Sequence, residues 1–378
     1  MKQVSSTSQT VTFTYDGDGN LTSRSDASGT SRWSFDKLNR ESIRTLQSGA
    51  QTALAYTPGG EVDHYTDPNG KTDYTWDAAG RLDFLTDPAG KKTDFDYNNN
   101  DNRITTVYPG GTTQTFTLDN SGRPTAIKTA SGTTTLVDLK YTYGYATGGT
   151  TDGTKIRTRT DNATKLTTAY SYDSQERLSY AKEADAAGVR KASWLYCFDK
   201  ASNLTHQDGT ATTCPATPTY TYNDASQLTA KSGSTTGWSY DNAGNETAAA
   251  SGTARTGETW GDYSQLTSIT TGTTTSDLVH AGTTNDERTK LGGTWFHVTD
   301  ATGNVLGLVD EAGKRTHTYA YDPTGQARTT PTETTPQPYR YAGAYADQTG
   351  LYKMGARYYD PTLGRFTQPD PSGQETNP

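Results

Sequence analysis

The chain has 378 residues, with 34 Lys and Arg against 42 Asp and Glu, a formal net charge of −8 and a pI near 5.2. Its cations are dispersed rather than clustered, which excludes a nucleic-acid surface built to neutralise phosphates. With 30% hydrophobic residues and a mean hydropathy of −0.85 there is no apolar run fit for a membrane-spanning helix and too little aliphatic material for a thick core, yet 25 Tyr, 8 Phe and 6 Trp are not the composition of a disordered chain.

The predicted elements begin with Phe13 and Tyr15, two positions apart as in a strand, followed by the turn Asp16-Gly-Asp-Gly19 and by Leu21. The same unit returns at Phe35, Tyr56, Trp76 and Tyr97, and with an aliphatic residue in the aromatic slot at Leu118, in steps of 20, 21, 20, 21 and 21 residues from Tyr15. So regular a period marks a repeat architecture, in which one unit cannot bury its apolar face without neighbours. Inside it, Asp16, Asp26 and Asp36, and again Asp67, Asp77 and Asp87, are ten apart, which fits one strand and one turn. Asp at the head of a turn bonds its own backbone two residues on, and Gly three residues later accepts positive φ. Pro at the second position of Asp67-Pro-Asn-Gly70, Asp87-Pro-Ala-Gly90 and Asp322-Pro-Thr-Gly325 suits a type I turn.

A Thr/Gly-rich stretch at 147–160 breaks the spacing, and units resume at Tyr172, Phe198, Tyr222, Tyr240 and Trp260 with steps of 26, 24, 18 and 20, then at Tyr321. An aliphatic residue stands six positions after the aromatic at Leu21, Val62, Leu82, Leu178, Leu204, Leu228 and Leu266, so one face of an antiparallel meander should carry aromatics and leucines together. The predicted fold is all-β and broad, thin or hollow rather than a packed globule. Residues 1–270 form the repeat array and 271–378 a C-terminal region. There Asp300 and Asp310 keep the ten-residue beat, a Pro-rich crossing runs over 323–338, and a Tyr/Gly block runs over 339–371. The start lacks the apolar core of a secretory signal and the end stops in mid-pattern, so the chain reads as an excerpt of something longer.

Catalytic constellations are scarce. His64, His206, His280, His297 and His317 are isolated and read as solvated strand positions, and no metal or cofactor motif is present. Arg81, Arg103, Arg123 and Arg177 read as turn-flanking side chains that form salt bridges or cover rings. Cys197 and Cys214 flank a predicted hairpin; a disulfide is expected in an oxidising compartment and two thiols in cytosol.

The units Tyr15-Asp-Gly-Asp-Gly-Asn-Leu21, Trp76-Asp-Ala-Ala-Gly-Arg-Leu82 and Tyr172-Asp-Ser-Gln-Glu-Arg-Leu178 resemble the YD repeats of bacterial RHS proteins. The segment from Gly350 through Ala-Arg-Tyr-Tyr-Asp-Pro and Gly-Arg-Phe-Thr-Gln-Pro-Asp-Pro-Ser-Gly373 is similar to the RHS core motif that closes such arrays. Relatives include polymorphic toxins, toxin-complex components and the YD shell of teneurins. The resemblance implies a sheet that spirals into part of a hollow β-shell, secreted or at the cell surface, around a C-terminal toxin cargo. The wall would be completed by further YD repeats or a partner shell protein. It also implies that Arg365 and Asp370 contribute to an aspartate-dependent self-cleavage whose second carboxylate would lie beyond Pro378. Two alternatives stand beside the structural reading: a module that binds cell-surface glycans on its Tyr and Trp rings, and the self-cleaving protease itself.

Overall fold

The computed structural model describes residues 2–5, 10–27, 29–144, 153–232, 234–250, 254–261, 266–278 and 295–370. His280 and the last residues of the closing motif, 371–373, fall outside them. Among the described residues there is no α-helix, only strands and two three-residue 3-10 turns, Pro109–Gly111 and Tyr341–Gly343. The chain is all-β, as its spacing predicts, and its described residues group into two compact units: those up to 109 with 261, and those over 110–260 with 266–278 and 295–370.

In the first unit, eleven described strands from Lys2–Ser5 to Arg103–Val107 form an antiparallel meander in which each pairs with the next. In the second, a meander runs from Thr112–Leu118 to Leu204–Asp208, followed by smaller hairpins and sheets. The register explains the six-residue interval. Tyr15 faces Leu21, Tyr56 faces Val62, Trp76 faces Leu82, Tyr172 faces Leu178, Phe198 faces Leu204, Tyr222 faces Leu228 and Trp260 faces Leu266. Each is a cross-strand pair, so the ring and the aliphatic chain share a face. In every one of these hairpins the register slips at the aromatic, the mark of a bulge beside the turn.

The turn works as the aspartate predicts. In the unit headed by Trp76, Asp77 Oδ1 accepts the amides of Ala79 and Arg81 at 2.8 and 2.9 Å, while Oδ2 accepts Arg81 Nε at 2.7 Å. Gly80 supplies the required left-handed backbone with φ +76. Because the aspartate is the acceptor for all of these donors, its carboxyl is held below the usual range, first by the Arg81 amide and then by the Arg81 side chain.

What joins one unit to the next is a latch from the ring's polar tip. Trp76 Nε1 donates to the carbonyl of Val62 at 2.8 Å, and Tyr97 Oη donates to that of Leu82 at 2.9 Å. The contact recurs from Tyr56 to Glu41, Tyr172 to Ile156, Tyr222 to Leu204, Tyr240 to Leu228, Trp260 to Glu246 and Tyr321 to Val305. The acceptor is always the residue that opens the second strand of the preceding hairpin. The turn arginine adds a second tie: Arg40 lies over Tyr56, Arg81 over Tyr97, Arg123 over Tyr143 and Arg177 over Phe198, 4.1 to 4.8 Å from the ring centres.

Burial differs between the units. Apart from Val11, no hydrophobic residue described in the first unit is fully buried, and its repeat rings are half-buried or, at Tyr15, exposed. The second unit has true cores. Ile127, Val137 and Leu139 pack with Val298, Leu306 and Val309, while Tyr196, Leu204 and Leu228 pack with Leu363, so the C-terminal block covers the meander of its own unit.

Since Trp76 is half-buried and spends its N–H on a carbonyl, Trp76→Phe should lower stability by about 1 kcal/mol, the net worth of one hydrogen bond. Trp76→Ala should cost about 2–3 kcal/mol, below the range for a fully buried ring. Urea unfolding midpoints check this: an unchanged midpoint for Trp76→Phe would remove the latch from the account.

Candidate functional site

The second unit departs from the repeat where an acid occupies the leucine slot. Glu246 faces Tyr240 across its hairpin, six positions on, where Leu228 and Leu266 stand in the neighbouring hairpins. On the strand Arg255–Trp260, a bulge between Arg255 and Gly257 turns Arg255 and Glu258 to one side, although three positions along a regular strand would place them on opposite faces. The C-terminal block adds Asp360 from the strand Arg357–Asp360 and Arg365 from its antiparallel partner.

These side chains form one buried network. Arg255 reaches Glu246 and Glu258 at 2.5 Å each and Asp360 at 2.8 Å, with all four side chains at most 2% exposed. Arg365 Nη1 donates to Tyr240 Oη at 3.1 Å and meets Glu246 at 3.3 Å. Asp360 also caps its own turn, accepting the Thr362 amide at 2.8 Å and the Thr362 hydroxyl at 2.6 Å.

Two guanidinium groups therefore meet three carboxyls, and the imbalance decides the protonation. Burial, then the nearby Glu246 charge, pushes Glu258 up to about 8, against the pull of Arg255. Burial also raises Glu246, opposed by Arg255 and Arg365. Asp360 goes the other way: burial works against its charge, but Arg255 and the Thr362 bonds prevail and hold it below the usual range. Glu258 is thus the neutral acid at pH 7, which leaves two cations facing two anions.

The residues expected to carry chemistry are placed as follows. Arg365 is directed into this network, toward Tyr240 and Glu246, whereas Asp370 sits beside Arg357 at 3.4 Å. Arg357 also covers the ring of Phe366 at 3.7 Å. Cys197 and Cys214 are bonded to each other across a Cα separation of 5.9 Å. Of the repeat aromatics, Tyr56, Trp76, Tyr97, Tyr172, Tyr222, Tyr240, Trp260 and Tyr321 serve the latch, and Phe35 and Phe198 lack the polar tip for it.

One histidine does not fit the solvated reading. His317 is 1% exposed, with Nε2 at 2.6 Å from the Thr335 carbonyl and its ring edge-on to Trp295, because the strand Arg315–Thr318 is covered by the Pro-rich crossing. Among the described residues no cluster of His, Cys, Asp or Glu could hold a metal ion. The charge network itself escapes a reading by period alone. Its one local signal is the acid at Glu246 in a leucine slot, and Glu41 in the same slot of its own hairpin stays near the surface.

Because Glu258 and Glu246 are raised in the folded state, their contribution to stability is complete below pH 4.5 and is lost as pH rises through the folded values, up to about 8 for Glu258. The exposed turn aspartates Asp16, Asp36 and Asp77 are lowered and titrate below 3.8, outside this window, whereas burial raises the turn aspartates Asp322 and Asp347, which add to the decline as pH rises. Stability should therefore decline between pH 5 and 8, and Glu258→Gln should flatten that decline; parallel pH profiles for the two proteins would refute the assignment. Arg255→Met should cost about 3–5 kcal/mol by stranding buried carboxyls, read from denaturant unfolding at pH 7.

Comparison with known proteins places this architecture. Residues 15–53 match the RHS repeat family. The chain is 40% identical over 86 residues to the tRNA3(Ser)-specific nuclease WapA of Bacillus spizizenii, a match spanning 22% of this chain and 4% of that protein. It is 41% identical over 83 residues to the double-stranded DNA deaminase toxin A of Burkholderia cenocepacia, spanning 21% and 6%. The crystal structure of TcdB2-TccC3-Cdc42 superimposes on 97% of this chain with a TM-score of 0.74 at 16% identity. That of TcdB2-TccC3 without its hypervariable C-terminal region superimposes on 98% with a TM-score of 0.62 at 15% identity. This chain spans 24% and 26% of those two chains. Among the described residues no helix is long and apolar enough to cross a membrane. The chain thus carries a segment that matches the RHS repeat at residues 15–53, resembles two toxins over about a fifth of its length and shares the fold of the TcdB2-TccC3 structures.

Proposed function

We propose that the chain is a wall segment of an RHS β-shell that encloses a C-terminal toxin effector of a secreted or surface-displayed protein, with further repeats or a partner shell protein completing the wall. The observation that carries this reading is the likeness to TcdB2-TccC3 over nearly the whole chain, although the chain spans only a quarter of that structure. The first unit's sheet also suits a wall, since it is held by lateral latches with few buried residues. The nuclease and deaminase activities in the relatives' names belong to those proteins; the shared segments span at most 6% of them.

Glycan binding loses support from the same geometry. A sugar platform needs free ring faces and tips, and here the tips are spent on carbonyls while arginines lie over Tyr56, Tyr97 and Phe198. Self-cleavage keeps one specific support, the arginine beside Asp370, which is Arg357 rather than the expected Arg365. An arginine-held aspartate stays ionised, the form a general base requires.

Limited proteolysis of the protein in its full reading frame tests encapsulation. The effector region should resist protease until the shell is unfolded and be digested at once when expressed alone; equal digestion rates would overturn the proposal. In the same protein Asp370→Asn should abolish a discrete C-terminal fragment while leaving the melting temperature unchanged. Cleavage that persists in that variant would return Asp370 to the role of a turn residue.

A further inference from the structure

The second unit holds a cavity of about 470 Å³ to which no role has been given. It is lined by residues of the strands Thr134–Tyr143, Ile156–Asp161 and Leu166–Tyr172, by the turn at Asp300 and by Tyr321 and Tyr341. Its volume falls in the range of small-ligand pockets, roughly 300–1,000 Å³.

The charged groups of the lining are almost all spent. Asp300 accepts from Thr302 and Asn304, Asp161 from Ala163 and Thr164, and Asp322 from Thr324 and Gln326. Glu183 is gripped by both Nη atoms of Arg328, at 2.9 and 2.7 Å. Arg315 donates to the carbonyls of Leu136, Leu306 and His317.

Arg159 differs. It faces Tyr141 across the sheet, its buried Nε has no hydrogen-bond partner, and among the described residues it forms no ion pair with a carboxylate. Burial keeps the neighbouring Tyr141 and Tyr170 hydroxyls protonated, pushing Tyr170 up to about 12, so they remain donors. The Tyr141 hydroxyl and Asp300 favour its charge from nearby, but among the described residues no carboxylate comes within ion-pairing distance, which leaves Arg159 placed to take an anion supplied from outside.

The rest of the lining says what carries that anion. Leu136, Leu139, Ile156, Leu166, Leu178 and Leu306 make the walls apolar, and the acids and amides that could meet sugar hydroxyls are already bonded.

We propose that this cavity binds a small carboxylate with an apolar body, its anionic head on Arg159 and its body against the leucine-rich wall. The site does not depend on the shell reading. The carboxylate could belong to a free acid or to a peptide ending in an apolar residue, and the two sources share this chemistry.

Calorimetric titration of the full chain with 3-phenylpropionate, 3-phenylpropionamide, glucuronate and an Ala-Ala-Phe peptide with a free or amidated C-terminus tests it. At least one apolar carboxylate should bind, with at least a tenfold loss for its amide and for Arg159→Gln. Preference for the peptide acid over phenylpropionate assigns the carboxylate to a chain terminus and supports the site. The amide ligands test the same contact without altering the protein, so the assay does not depend on the stability of Arg159→Gln. Equal affinity for acid and amide, tighter binding of glucuronate, or absence of binding at millimolar ligand would each overturn the proposal.

Discussion

A single-layer sheet has no second layer to bury against, so it persists only if each hairpin is tied sideways to the next. In this chain that tie is the hydrogen bond from the tip of the repeat aromatic to the carbonyl that opens the second strand of the hairpin before it, as from Tyr97 to Leu82. The ring supplies apolar contact and its tip satisfies a main-chain acceptor, so one residue does what a second layer would otherwise do. This accounts for 25 Tyr and 6 Trp against 8 Phe: a phenyl ring fills the slot but cannot close the bond. The bulge at Trp76 is part of the same device, because it accompanies the tight Asp77-headed turn from which the next rung starts.

Where the second unit gains depth, a different force holds it. Arg255 is enclosed by Glu246, Glu258 and Asp360, and the desolvation of so many charges nearly cancels their attraction. Such a network adds little net stability over an apolar core of the same volume, but it penalises any arrangement in which one partner is missing. Its members come from three places in the chain, at 246, 255–258 and 360–365. It therefore makes the C-terminal block dock in one register on the strands around Arg255, which leucine packing alone would not demand.

The repeat was legible because its physics is local. The aromatic, the turn aspartate and the residue six positions on lie within one hairpin, so spacing alone reveals their pairing, as with Trp76, Asp77 and Leu82. The latch was half legible: turn arginines over rings follow from their chemistry, but the ring-to-carbonyl bond is made between units and leaves only the preference for Tyr and Trp as a trace. The charge network was not legible, because its ties span up to 125 positions, as from Tyr240 to Arg365, and no period connects such residues. The same reason explains the arginine beside Asp370. The resemblance pairs Asp370 with Arg365, yet a strand reversal brings Arg357 to the aspartate and directs Arg365 inward.

The C-terminal block shows how far one turn can be repurposed by its surroundings. Tyr359-Asp360-Pro-Thr-Leu-Gly364-Arg365 keeps the parts of a repeat unit: a ring, a turn aspartate and a trailing arginine. In the exposed repeats the arginine folds back on its own aspartate, as Arg81 does on Asp77. In the buried block the partners are exchanged: Asp360 takes Arg255, and Arg365 takes Glu246 and Tyr240. An exposed pair gains little from such an exchange because water screens it, whereas a buried pair can draw several kcal/mol of discrimination from it. Burial thus converts a local turn contact into a long-range clasp without changing the residues that make it.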